Sequence, residues 1–144
     1  MKKYKFSLDN VLNWRELQEE EAKKNFLVYQ QAQREQEDIL EGYIEASQSM
    51  NESTGSLTNI NKLRQQFVYK NFLDNQIEMQ KETVSQYSNE TSKKMSVFVD
   101  AQKERKIMER LKEKHYENYL LEEKSEEQKE LDEMGTLRFS YSFI

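Results

Sequence analysis

His115 is the only imidazole in the chain, and its neighbours decide whether it could do chemistry. A di-metal carboxylate bundle needs an acid three residues before its histidine; that position is Lys112. With no second histidine and no cysteine, thiolate and multi-imidazole metal sites cannot be assembled, and no disulfide or thiol redox chemistry is open. The three glycines, Gly42, Gly55 and Gly135, lie too far apart to cradle a phosphate or to build a nucleophile elbow. Carboxylates are abundant, but on extended helices they stay solvated and lack a cleft that would shift a pKa. The residue types point away from catalysis, metals and any other cofactor, and towards contact with other proteins.

Two places invite such contact. Trp14 has the residue type most enriched at interface hot spots. Packing within a helix pair is its other reading. Tyr43 follows Gly42, which costs about 1 kcal/mol in a helix interior relative to alanine. Either that glycine admits a close approach by a neighbouring helix or a partner, or it is simply tolerated.

The elements that carry these residues are long. Proline is absent, and no glycine stands between Gly55 and Gly135. No helix-stop signal forces a turn in that stretch, which would span roughly 115 Å as a single helix. Charged residues make up 34% of the chain and mean hydropathy is −1.07, too polar to enclose a thick core. Regular Leu, Ile, Phe and Tyr argue equally against disorder. A two-stranded coiled coil satisfies both, since each helix need bury only a narrow stripe.

The net charge of −5 argues against nucleic acid as the primary partner. The basic start Met1-Lys2-Lys3-Tyr4-Lys5 is followed by no apolar segment of the signal-peptide kind. Apolar runs such as Phe26-Leu27-Val28-Tyr29 fall far short of the roughly 20 residues of a membrane span. The expectation is a soluble intracellular protein.

Helix 1 is expected over about 7–48, with Ser7 as N-cap and Phe6 and Val11 as a hydrophobic staple. Alternating steps of four and three from Leu8 reach Leu12, Arg15, Glu19, Ala22, Phe26, Tyr29, Gln33, Gln36, Leu40, Tyr43, Ser47 and Met50, an interrupted heptad seam. A polar loop is expected at about 49–58, with capping restored at Thr58 or Asn59. Helix 2 is expected over about 59–134, with Ile60, Leu63 and Phe67 followed by a second register through Leu73, Ile77, Val84, Tyr87, Phe98, Ala101 and Met108. The pattern slips by one residue around Tyr69 to Phe72, a slip that a π-bulge could absorb. Ser88-Asn89-Glu90-Thr91-Ser92 has the weakest helix propensity, and a break there would give a three-helix bundle instead. Gly135 is the natural stop, leaving a frayed tail over 135–144.

The fold expected is all-α: two long helices in an antiparallel coiled-coil hairpin, the second longer and overhanging, as one domain over 1–144. Folding back at that loop sets Leu8 beside Phe98 and leaves helix 2 past about residue 100 without a partner. That part carries Met108, Leu111, Tyr116, Tyr119, Leu120 and Leu121 among basic residues, a leftover apolar stripe that wants another protein.

Three segments, in order and spacing, carry a family resemblance. Phe6-x-Leu8-x-x-Val11-Leu12-x-x-Arg15 looks like the family's N-terminal pattern. Gln65-Gln66-Phe67-Val68 with Leu73-Asp74-Asn75-Gln76-Ile77 is similar to the start of its second helix. Glu127-Gln128-Lys129-Glu130-Leu131-Asp132-Glu133 looks like its closing segment. Together these segments resemble the FliJ family of the flagellar type III export apparatus, and the resemblance implies a non-enzymatic stalk, monomeric when free, in the cytoplasm and peripheral at the cytoplasmic face of the membrane. Its open end would enter the hexamer of the export ATPase FliI and promote ring assembly. By the same resemblance, its hairpin side would contact the export gate FlhA, and the free protein would escort export chaperones.

The gate contact would fall on Gln36, Leu40, Tyr43, Phe67 and Leu73. Ser47 stands where the family pattern can carry an aromatic, and one extra residue separates Phe67 from Leu73, so Phe72 could take the place of Leu73. The ring end would use Phe6, Leu8, Val11, Leu12, Met108, Leu111, Tyr119 and Leu120. A chaperone or adaptor that binds clients along its flanks, or a plain dimerisation module, is the alternative. Virulence-type secretion stalks would share the architecture.

Overall fold

The computed structural model describes residues 3–53 and 59–142. Two helices make up nearly all of it, α1 (Asp9–Ser53) and α2 (Ile60–Ser142). The fold is all-α, with no strand among the described residues.

α1 starts slightly later than its sequence signals suggest. Ser7 and Leu8 form a turn in which the Asp9 N–H donates to the Phe6 carbonyl at 3.2 Å. The Leu8 carbonyl accepts the first helical bond, from Leu12 at 3.0 Å, so Leu8 rather than Ser7 holds the cap position. Asp9 still places its carboxylate at the positive end of the helix dipole. At α2 the expected cap is present: the Asn59 side chain accepts from the Asn61 N–H at 3.0 Å.

Both helices outrun their expected ends. α1 continues past residue 48 to Ser53, because Ser and Asn cost only tenths of a kcal/mol in a helix. The remainder of the expected loop, 54–58, lies outside the described residues. α2 passes Gly135 in ordinary helical geometry and runs to Ser142, so the expected stop and frayed tail are corrected. One glycine costs about 1 kcal/mol, which a helix of this length absorbs. α2 is also unbroken at Ser88–Ser92, where the Thr91 hydroxyl bonds back to the Tyr87 carbonyl at 2.8 Å.

Packing divides the chain into two units, Met1–Glu19 with Ala101–Ile144, and Glu20–Asp100. In the second unit the helices pair antiparallel. Every expected seam position of α1 from Ala22 to Met50 is buried or half-buried, including the polar Gln33, Gln36 and Ser47. From α2, Leu73 is the most buried side chain at 2% exposure, with Ile77, Val84, Tyr87 and Phe98 half-buried behind it. The Gln80 amide donates to the Gln36 side chain at 2.8 Å and to its carbonyl at 2.9 Å, which fixes the register. Thr91 reaches the Tyr29 carbonyl at 3.3 Å.

The sequence slip near Phe72 involves no π-bulge, for α2 is α-helical throughout it. The seam continues backwards from Leu73 through Lys70 and Gln66, both half-buried. Ile60, Leu63 and Phe67 instead stand off the seam and are exposed.

In the first unit Leu12 is buried at 5% exposure, Lys112 donates to Asp9 at 2.9 Å, and Arg15 pairs with Glu104. The expected register is therefore corrected. Asp9, not a residue near Phe98, lies against its partner at Lys112, while Phe98 faces Phe26 with ring centroids 6.2 Å apart. α1 runs on to Ser53, and its partners on α2 lie later in the sequence than expected. α2 past residue 100 is consequently paired as far as Tyr119, first by α1 and then by the segment before it.

Candidate functional site

The first unit closes on an aromatic cluster that precedes α1. Tyr4 and Phe6, two residues apart ahead of the helix, lay both rings against α2. Tyr4 stands 5.8 Å from His115, 4.9 Å edge-on from Tyr116 and 5.2 Å from Tyr119, and its hydroxyl lies 3.4 Å from the Lys112 carbonyl. Phe6, buried at 5% exposure, meets His115 edge-on at 5.4 Å. Aromatic pairs of this geometry add about 0.5–1.5 kcal/mol beyond the area they bury. Tyr4 went unmarked in the sequence; its signal was the period-two spacing with Phe6.

Charged groups pin the same unit. Arg105 donates to Glu109 at 2.7 Å and to Glu19 across the helix pair. Those hydrogen bonds, Glu109 first and Glu19 second, raise the guanidinium pKa against the opposing effect of burial. The hydrogen bond to Asp9 likewise raises Lys112. The Tyr119 hydroxyl donates to Glu123 at 2.8 Å, which raises the phenol.

The residues expected at the ring end divide by burial. Phe6 and Leu12 are buried in the unit's core, and Met108 and Tyr119 are half-buried. Leu8, Val11, Leu111 and Leu120 are exposed. From Lys124 to Ser140 every side chain of α2 is exposed, including Leu131, Met134, Leu137 and Phe139. Trp14 is half exposed, with the Arg15 guanidinium 4.7 Å above its ring.

In the second unit, Gln36, Leu40 and Tyr43 are half-buried along α1. Phe67 is 65% exposed, whereas Leu73 is sunk in the seam and offers no surface to a partner. Its neighbour Phe72, 52% exposed, does. Gly42 has nothing within 4 Å of the position a Cβ would take, so no close approach requires it. A feature the sequence pattern left unassigned is an apolar groove of about 560 Å³ where Met50 meets Ile60, Leu63, Arg64, Phe67 and Val68.

Among the described residues no cluster of three or more His, Cys, Asp or Glu could hold a metal ion. No helix there is long and apolar enough to cross a membrane.

A family model described as "Flagellar FliJ protein" matches residues 4–142. The flagellar FliJ protein of Bacillus subtilis (strain 168) is 28% identical over 145 residues, which cover 94% of this chain and 95% of that protein. No solved structure matches. Two long helices without strands, matched from Tyr4 to Ser142, make this chain a member of the flagellar FliJ protein family.

Proposed function

We propose that the chain is a non-enzymatic stalk of the flagellar type III export apparatus. It inserts one end into the export ATPase ring, promotes assembly of that ring, and couples it to the FlhA gate. The observation that carries this reading is α2 beyond Tyr119. A helix whose side chains from Lys124 to Ser140 are all exposed, Leu131, Met134 and Leu137 among them, is poorly stabilised alone and gains most by lying inside another protein. The exposed Leu8, Val11, Leu111 and Leu120 extend that surface within the same unit.

The gate contact falls on the second unit, through Gln36, Leu40, Tyr43 and Phe67, with Phe72 in place of the buried Leu73. Escort of emptied export chaperones uses the same exposed apolar surfaces. The protein works in the cytoplasm, monomeric when free and held at the membrane face through its partners.

The test is to add purified chain to the export ATPase of the same source. ATP hydrolysis should rise and hexameric rings should become more frequent by negative-stain microscopy, with no hydrolysis by the chain alone. Unchanged turnover and ring count at stoichiometric addition would remove the reading's main support.

A further inference from the structure

At the start of α2 the apolar residues before Leu73 stand off the side that meets α1. Gln66 and Leu73 face the seam, and the half-buried Lys70 stands at its edge, lining the groove. Ile60, Val68 and Phe72 follow one another with Arg64 at i, i+4, i+8 and i+12, and they are 70%, 66% and 52% exposed. The groove of Met50, Leu63 and Phe67 runs beside that stripe. An exposed apolar face beside an apolar groove is the usual mark of a surface that meets another protein.

The charge around this face has one sign. Arg64 and Lys70 line the groove, and no acid stands between Glu52 and Asp74. Elsewhere on α2, Lys81 pairs with Glu78 and Lys93 with Glu90 on the same helix. Lys62, Arg64 and Lys70 make no ion pair among the described residues. In a chain of net charge −5 this is a local inversion of sign.

We propose that this face of α2, with its groove, is a docking surface for an acidic amphipathic helix of another protein. The apolar ridge of such a helix fills the groove between Met50 and Phe67, and its flanking carboxylates meet Arg64 and Lys70, which line that groove. The stripe from Ile60 to Phe72 is about 18 Å long, room for three turns of a partner. An anionic bilayer shares the chemistry of apolar contact plus negative charge. It is a worse fit, since a flat surface leaves the groove unfilled and repels a net acidic chain. The surface shares only Phe67 and Phe72 with the gate contact and does not rest on the stalk reading.

The test uses the full chain and a fluorescein-labelled synthetic peptide of roughly twenty residues, long enough to be helical, with leucines at heptad spacing and glutamates elsewhere. Two controls carry lysines in place of the glutamates, or the same composition scrambled. The leucine/glutamate peptide should bind saturably by anisotropy, at least tenfold tighter than either control. Arg64→Glu with Lys70→Glu, and separately Val68→Ser with Phe72→Ser, should each weaken it at least tenfold while the helical circular dichroism persists. Equal binding of the lysine peptide, or indifference to both double variants, overturns the proposal. So does Arg64-dependent sedimentation with phosphatidylglycerol vesicles in the absence of peptide binding. Self-association lost in Val68→Ser with Phe72→Ser, seen by sedimentation equilibrium, would give the face to a second copy instead.

Discussion

The Thr91 hydroxyl lies 3.3 Å from the backbone carbonyl of Tyr29 on the facing helix, and 2.8 Å from that of Tyr87 one turn back on its own. It is a buried polar side chain in a seam of otherwise apolar or half-buried positions. Both carbonyls belong to helical residues that already have intrahelical partners, so removing the hydroxyl strands no acceptor. Thr91→Val should therefore change unfolding free energy by less than about 1 kcal/mol, by urea titration. Thr91→Asp, which sets a charge in the same place, should cost more than about 2 kcal/mol.

Leu73 and Phe72 separate the seam from the surface. Leu73→Ala should cost about 2–3 kcal/mol, because the deleted methyl groups leave a gap in the most buried position of the second unit. Phe72→Ala, at a half-exposed site, should cost less than about 1 kcal/mol. Urea midpoints of the two variants decide it, and equal losses would mean that Phe72 too is held by the helix pair.

The same two residues show what the sequence could and could not reveal. The seam of α1 was readable at every position from Ala22 to Met50, since the heptad rhythm persists even where Gln33 or Gln36 interrupts it. Register was not readable, because it depends on where the turn falls, and Ser47 to Ser53 looks like loop by type while remaining helical. Isolated propensity differences of tenths of a kcal/mol are too small to end a helix on their own. The slip near Phe72 was visible as a pattern. Only the structure distinguishes a bulge from its actual cause, the turn of Ile60, Leu63 and Phe67 away from the seam. Family resemblance located the protein among its relatives but could not say that Leu73 is buried.

Gly42 and Gly135 give a clean test of helix propensity. Neither has a positive φ, and neither has an atom within 4 Å of the place a β-carbon would occupy. Gly42→Ala should raise stability by about 0.5–1 kcal/mol, read as a higher urea midpoint. Gly135→Ala should raise helical content by circular dichroism and leave the midpoint nearly unmoved, since every residue around it is exposed. A loss of stability at Gly42 would reveal a close neighbour there.

Alkaline titration should loosen the first unit before the second. Lys112 and Tyr119 both have raised pKa values, from hydrogen bonds to Asp9 and to Glu123 respectively. A raised folded value means the stabilisation is complete below the unfolded value and is lost as pH climbs through the folded one. For lysine and tyrosine that window opens near pH 10. Lys112→Met should therefore flatten the fall in stability above about pH 10 relative to the unaltered chain, with Trp14 fluorescence reporting the first unit. Identical alkaline profiles would show that the Asp9 contact contributes nothing in solution.

Truncation after Lys124 separates folding from the proposed work of α2. The deleted residues are exposed as far as Ser140, so the urea midpoint of the remaining chain should move by less than about 0.5 kcal/mol, the range of a surface change. Helical signal should fall in proportion to the residues removed. The aromatic cluster of Tyr4, Tyr116 and Tyr119 stays intact, so α1 keeps its partner. Stimulation of the export ATPase should nevertheless disappear, because the exposed Leu131, Met134 and Leu137 are gone. Full stimulation by the truncated chain would shift the ring contact back to Leu8, Val11 and Leu111. Loss of folding would instead make the extension part of the hairpin's own stability, a role that its exposed side chains argue against.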